Sequence, residues 1–153
     1  MSRTRQFCTF HVADDLFGIE VVKVQEVIRP QPMTVVPKTA AVIAGLINLR
    51  GAIVTAIDLR RRLDLPVADD ALRSPNVVVR GEDGPVSLLV DEIGDVVIVP
   101  EETFDRPPST LRGPARELIA GIYKLPDRLM LVLDVERAVN PANFAEAARS
   151  IAE

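Results

Sequence analysis

The chain has little with which to do covalent chemistry. Its 153 residues include one cysteine, Cys8, one histidine, His11, and no tryptophan. A lone cysteine excludes an internal disulfide and a cysteine-cluster metal site, and a lone histidine leaves no histidine set for a metal. Aromatic residues are 4% of the chain: Phe7, Phe10, Phe17, Phe104, Tyr123 and Phe144. That is thin for a surface that stacks nucleobases. A net charge of −4 and a pI near 5.1 also oppose a dedicated nucleic-acid binder. No apolar run approaches the roughly 20 residues of a membrane-spanning helix. Met1 to Arg5 is polar and leads into only a short apolar stretch, which argues against a secretory signal.

What is present in quantity is branched aliphatic residue: 21 Val and 11 Ile, against 15 Leu. Such side chains suit a pleated, half-buried surface better than a helix, so a β core is expected. Hydrophobic residues at 48% and charged residues at 26% describe a folded chain, and the length fits one ordinary domain or two very small ones.

Along the chain, Phe7 to Val12 reads as a strand, Ala13 to Leu16 as a turn and Phe17 to Ile19 as the return strand. Alternation puts Cys8, Phe10 and Val12 on one face, with Cys8 as a small core residue and His11 on the opposite face. Val21 to Ile28 fits a helical turn running into a strand, ended by Pro30 and Pro32. Arg50-Gly51 reads as a hairpin turn between Ile43–Leu49 and Ile53–Leu59, followed by a short helix at Arg60 to Leu63. Pro66 to Pro75 reads as a linker. The second half repeats the theme: strands at Asn76–Arg80, Val86–Val90 and Val96–Val99, a long loop over 101–115, then strand–turn–strand over Ile119–Val135. Asn140-Pro141 reads as a helix start, with Phe144, Ala147, Ala148 and Ile151 on one face of a terminal helix.

The halves resemble each other. Ile43-Ala44-Gly45 aligns without gaps with Ile119-Ala120-Gly121, Leu49 with Leu125, Asp58 with Asp134 and Arg61 with Arg137. At a slightly shorter offset, Val24-Gln25-Glu26-Val27 aligns with Ile93-Gly94-Asp95-Val96. Two blocks agreeing in order indicate two copies of one small β unit fused in tandem. A copy of about 60 residues is marginal alone, so the two should pack together and share a core.

A search for catalytic machinery finds none. There is no Gly-x-Ser-x-Gly elbow for His11 to serve. Asp14-Asp15, Asp69-Asp70, Glu82-Asp83, Asp91-Glu92 and Glu101-Glu102 fall mostly in turns or at strand ends. No oxygen-ligand loop surrounds Asp91 and Glu92, and Gly81 to Gly84 lacks the lysine of a phosphate loop. Arg60-Arg61-Arg62 reads as a solvated, partly salt-bridged face. A hydrolase using two carboxylates is therefore the weaker reading. Arg50 and Glu26 stand out instead, since each is a charge among apolar neighbours. They are natural partners for each other, because the planar guanidinium suits a carboxylate.

These residues fall into blocks that resemble the CheW family, the bacterial chemotaxis coupling proteins: Phe17-Gly18-Ile19-Glu20, Lys23-Val24-Gln25-Glu26-Val27, Gly45-Leu46-Ile47-Asn48-Leu49-Arg50-Gly51 and Ile57-Asp58-Leu59-Arg60. Val90 to Val96 and Asp127 to Asp134 extend the resemblance, which runs from about Phe7 to Val139. It implies a mainly β fold: two intertwined, five-stranded SH3-like barrel subdomains packed together, with short helices and a C-terminal helix. Residues 1–153 form one such domain, with 7–65 plus C-terminal elements as the first subdomain and 76–139 as the second. It implies a non-enzymatic adaptor without cofactor or metal, cytoplasmic and recruited to chemoreceptor arrays. Its partners would be the cytoplasmic tips of methyl-accepting chemoreceptors and the regulatory domain of the histidine kinase CheA, with no nucleic acid and no membrane insertion. The receptor site would involve Val24, Glu26, Val27, Gly45, Leu49, Arg50 and Gly51, with Ile93 and Val96 as its far wall. No residue is assigned to the kinase contact. Tyr123-Lys124 is unusual within the second block and bears on a kinase or ring contact. The alternative is a small-barrel module that binds peptide or nucleic acid outside chemotaxis.

Overall fold

In this computed structural model, residues 3–66 and 73–140 are described. The first hairpin joins β1 (Thr4–Val12) to β2 (Asp15–Glu20). A single 3-10 turn at Val21–Lys23 runs directly into β3 (Val24–Ile28), so both halves of the ambiguous pattern there are real. The hairpin of β4 (Ile43–Leu49) and β5 (Ala52–Asp58) leads into α1 (Leu59–Arg62). Then come β6 (Asn76–Gly81), β7 (Gly84–Leu89) and β8 (Glu92–Pro100). The expected loop over 101–115 contains a 3-10 turn at Glu101–Thr103 and the start of α2 (Pro114–Leu118). The described residues close with β9 (Ile119–Lys124), β10 (Leu129–Leu133) and α3 (Val135–Val139). The expected terminal helix over Phe144–Ile151 and most of the expected linker lie outside the described residues.

These strands form two five-stranded sheets, ordered β8-β1-β2-β10-β9 and β3-β6-β7-β5-β4. The sheets do not follow the expected division into 7–65 plus C-terminal elements and 76–139. One takes two strands from the first half and three from the second, and the other does the reverse. The repeat persists to the level of register. Phe10 faces Ile93 across β1–β8 as Val79 faces Val24 across β6–β3. Both ladders carry a bulge at the corresponding place, between Cys8 and Phe10 and between Val24 and Glu26. Leu131↔Phe17 and Thr55↔Val86 mark the two parallel pairings. Parallel neighbours cannot be joined by a tight turn. Here each parallel pair brings together strands from the two different halves.

The core follows this layout. One cluster draws Phe10, Val12, Ile57 and Leu59 from the first half together with Val77, Leu88, Leu133 and Val135 from the second. Each sheet then has its own smaller cluster: Phe7, Tyr123 and Met130 in one, Ile47, Val54 and Leu89 in the other. The extra residue of the β1–β8 bulge lies on β8, where Gly94 and Asp95 together stand opposite Thr9, so β1 keeps its own alternation and its unbroken register with β2. Cys8 shares the Phe10 face as expected but is half-exposed rather than a core residue, and its partial burial raises the thiol pKa.

Candidate functional site

The Arg50-Gly51 turn is built locally. Arg50 and Gly51 have φ of 52° and 88°, the doubly left-handed conformation of a tight hairpin. The Asn48 carboxamide oxygen accepts the Gly51 N–H at 2.9 Å and fixes the turn. From it the Arg50 side chain reaches β3, on the opposite edge of the same sheet. Its Nη1 donates to Glu26 Oε1 at 3.0 Å and its Nη2 to Glu26 Oε2 at 2.5 Å. The carboxylate raises the Arg50 pKa, first through these hydrogen bonds. The pair lies at the surface, with the Arg50 side chain 72% exposed and that of Glu26 18% exposed. Apolar sequence neighbours do not bury Arg50, because a two-residue turn lifts it clear of them.

The other expected site residues divide by role. Gly45 is buried, and a Cβ there would lie 2.7 Å from the Thr34 carbonyl oxygen. Glycine is required because Thr34 bridges Leu46 through both backbone hydrogen bonds. Gly121 is its counterpart, with Asp105 bridging Ile122. Leu49 is half-buried against the Ile47–Val54–Leu89 cluster. Val24 and Ile93, equivalent in the repeat, both pack against the shared core. Val27 and Val96, equally equivalent, are 42% and 59% exposed on β3 and β8. Glu26 and Arg50 are thus in direct contact, whereas Ile93 and Val96 belong to the other sheet.

Three polar arrangements escaped sequence reasoning. Arg60 donates from Nε to Asp91 Oδ1 at 2.9 Å and from Nη2 to Asp91 Oδ2 at 2.6 Å, and its Nη1 donates to the Pro66 carbonyl. The Ala13 N–H donates to the same carboxylate at 2.7 Å. Asp91 therefore ties α1 and the β1–β2 turn to the β7–β8 connection. The Arg60 hydrogen bonds pull its pKa below the ordinary carboxylate value, burial opposes them, and the Ala13 N–H assists. Arg62 is buried and donates to the carbonyls of Ala138 and Arg137. Desolvation lowers its pKa. The expected solvated, partly salt-bridged face at Arg60–Arg62 holds for the salt bridges of Arg60 to Asp91 and Arg61 to Asp58, and fails at Arg62, which is buried against a neighbouring helix end. Finally, Arg128 Nη1 lies 2.9 Å from His11 Nε2. An arginine only donates, so this nitrogen is the acceptor.

Tyr123 is fully buried, its ring between Phe7 and Phe104. Burial raises its pKa, and Arg5 opposes the shift. A buried ring cannot touch a kinase or a neighbouring subunit directly, so any effect at this position runs through packing. A cavity of about 710 Å³ lies on another face, between β5, the β6–β7 turn and the end of α3, and none of the expected site residues lines it. Among the described residues no group of three or more His, Cys, Asp or Glu could hold a metal ion. No described helix is long and apolar enough to cross a membrane.

Two five-stranded β units thus stand over one core, with the Arg50–Glu26 ion pair at the surface of one of them. The family model for the CheW-like domain matches residues 6–142, and the chain belongs to the CheW family. It is 30% identical to the chemotaxis protein CheW of Bacillus subtilis, over 90% of this chain and 88% of that one. It is 29% identical to the chemotaxis protein CheW of Treponema pallidum, over 86% and 80%. The crystal structure of the scaffolding protein TtCheW from Thermoanaerobacter tengcongensis superposes with a TM-score of 0.80 at 26% identity, covering 92% of this chain and 94% of that one. The two sheets are the SH3-like units of that fold, and the chain is a non-enzymatic scaffold protein of chemotaxis.

Proposed function

We propose that this chain couples chemoreceptors to the histidine kinase CheA, in the cytoplasm at receptor arrays. The receptor contacts Val24, Glu26, Val27, Leu49, Arg50 and Gly51, with Gly45 shaping the surface and Ile93 and Val96 forming its far wall. The observation that carries the reading is the Arg50–Glu26 pair, which spans both edges of one sheet and leaves the Arg50 side chain in solvent. A fixed, oriented cation at the surface suits one helix of a helical receptor tip, which would lie across it in the helix-in-groove mode. The pair gives orientation and register more than affinity, because it is largely solvated.

Co-sedimentation with receptor fragments and CheA tests this. The wild-type chain should form a ternary complex and change kinase activity. Arg50→Glu sets two carboxylates against each other and should reduce receptor association at least tenfold, with the far-UV circular dichroism spectrum unchanged. Wild-type receptor binding by that variant would refute the assigned surface. Failure of the wild-type chain to join receptor and kinase would refute the coupling function itself.

A further inference from the structure

The two halves of this chain cannot complete a sheet separately. Within the first half, β1 pairs with β2 and β4 with β5, while β3 pairs only with β6 of the second half. Within the second half, β6 pairs with β7 and β9 with β10, while β8 pairs only with β1 of the first. Each half alone is therefore two hairpins and an unpaired strand. Isolated hairpins are marginally stable in water at best. Among the described residues, four of the eight strand pairings join one half to the other. The shared core cluster is likewise assembled from both. Arg62 of the first half adds hydrogen bonds to the last turn of α3 in the second. Every contact that stabilises the fold across this boundary is non-covalent, and the sequence joins the halves only through positions 67–72.

We infer that the partner this inter-half surface fits is the complementary half of a second copy of the chain, so that the protein has a strand-exchanged dimer. In that dimer β1–β8, β2–β10, β3–β6 and β5–β7 form between molecules with the registers they have within one. Exchange of identical elements costs little, because the native contacts are reused rather than replaced. The barrier is the unfolding needed to separate the halves, so exchange belongs to refolding rather than to the native state at rest.

Gln6 and Ile98 are exposed Cα partners on β1 and β8, and they provide a readout that a different dimer would not give. The full-length chain carrying Gln6→Cys, Ile98→Cys and Cys8→Ser is unfolded in urea and refolded under reducing conditions at a series of concentrations. It is then fractionated by size and oxidised. The dimer-to-monomer ratio should rise about tenfold for a tenfold rise in monomer concentration. On non-reducing gels the dimer fraction should run at twice the chain mass, and the monomer fraction at the chain mass with an internal bond. The full-length chain without the introduced cysteines, refolded in parallel, should give the same dimer fraction. A dimer fraction that oxidises to chain-mass species associates through some other surface, and overturns the inference. Refolding to monomer alone at every concentration also overturns it.

Discussion

At the scale of single residues, Asp91 is a point where charge ties three segments together. Its carboxylate takes both forks of Arg60 and the Ala13 N–H. Both side chains of the ion pair are about three-quarters buried, at 22% and 26% exposure, so solvent screens the pair less than an open surface bridge. The folded pKa of Asp91 is depressed, so its stabilisation is present above the ordinary carboxylate value of about 3.9 and is lost as pH falls through the lower, folded value. Asp91→Asn keeps the shape and removes the charge. It should lower the unfolding free energy at pH 7 by about 1–2 kcal/mol in urea titrations. The deficit should shrink as pH is taken from 5 towards 3. A deficit that stays constant down to pH 3 would assign the acid sensitivity to another group. The sequence did not disclose this junction, because Arg60 and Asp91 lie 31 positions apart and the blocks that contain them do not say which charge meets which. Arg50 and Glu26 were legible for a different reason: each interrupts an apolar stretch, and such interruptions call for partners.

At the scale of elements, the clearest sequence signal was the one written twice. Asp58 and Asp134 align in the repeat, and each caps a short helix. Asp58 accepts the Arg60 N–H at 3.0 Å, and Asp134 accepts the Arg137 N–H at 3.1 Å. Each also meets the arginine three positions on, Arg61 and Arg137. The two sites differ in solvent access: the Asp58 side chain is 9% exposed and that of Asp134 35%. Removing a buried acceptor leaves a donor without water to replace it. Asp58→Ala should therefore cost about 1–2 kcal/mol and Asp134→Ala about half that, on the usual scale for N-caps, measured by chemical denaturation. Equal losses would mean that burial does not set the value of the cap. Hairpins were also legible, since turn chemistry is local: Arg50-Gly51 and Gly81–Gly84 both fall where expected. The exchange of strands between sheets was not, because register between distant strands is decided by packing. The bulge on β8 opposite Cys8–Phe10 shows the same limit, as the extra residue there is defined only by its pairing with a distant strand.

At the scale of the whole molecule, one core serves both sheets. The shared cluster cannot be lost on one side and kept on the other, because its members alternate between the halves. The two sheets should unfold together. The single tyrosine, Tyr123, sits wholly in the sheet that contains β9 and β10, and the chain has no tryptophan. Its fluorescence reports that sheet, while far-UV circular dichroism reports both. The two urea transitions should coincide within experimental error. A tyrosine midpoint displaced from the dichroism midpoint would show instead that each sheet melts independently.

The Arg50–Glu26 pair has a bearing on stoichiometry. The repeat sets Asp95 where Glu26 stands in the other copy, and Pro126 where Arg50 stands. Proline carries no charge, so the second barrel cannot reproduce the pair. A frame built twice thus displays this surface once, and a chain with an internal dyad is monovalent for any partner that recognises it. On the proposed coupling role, the pseudo-equivalent face is chemically free to serve the second, unlike partner.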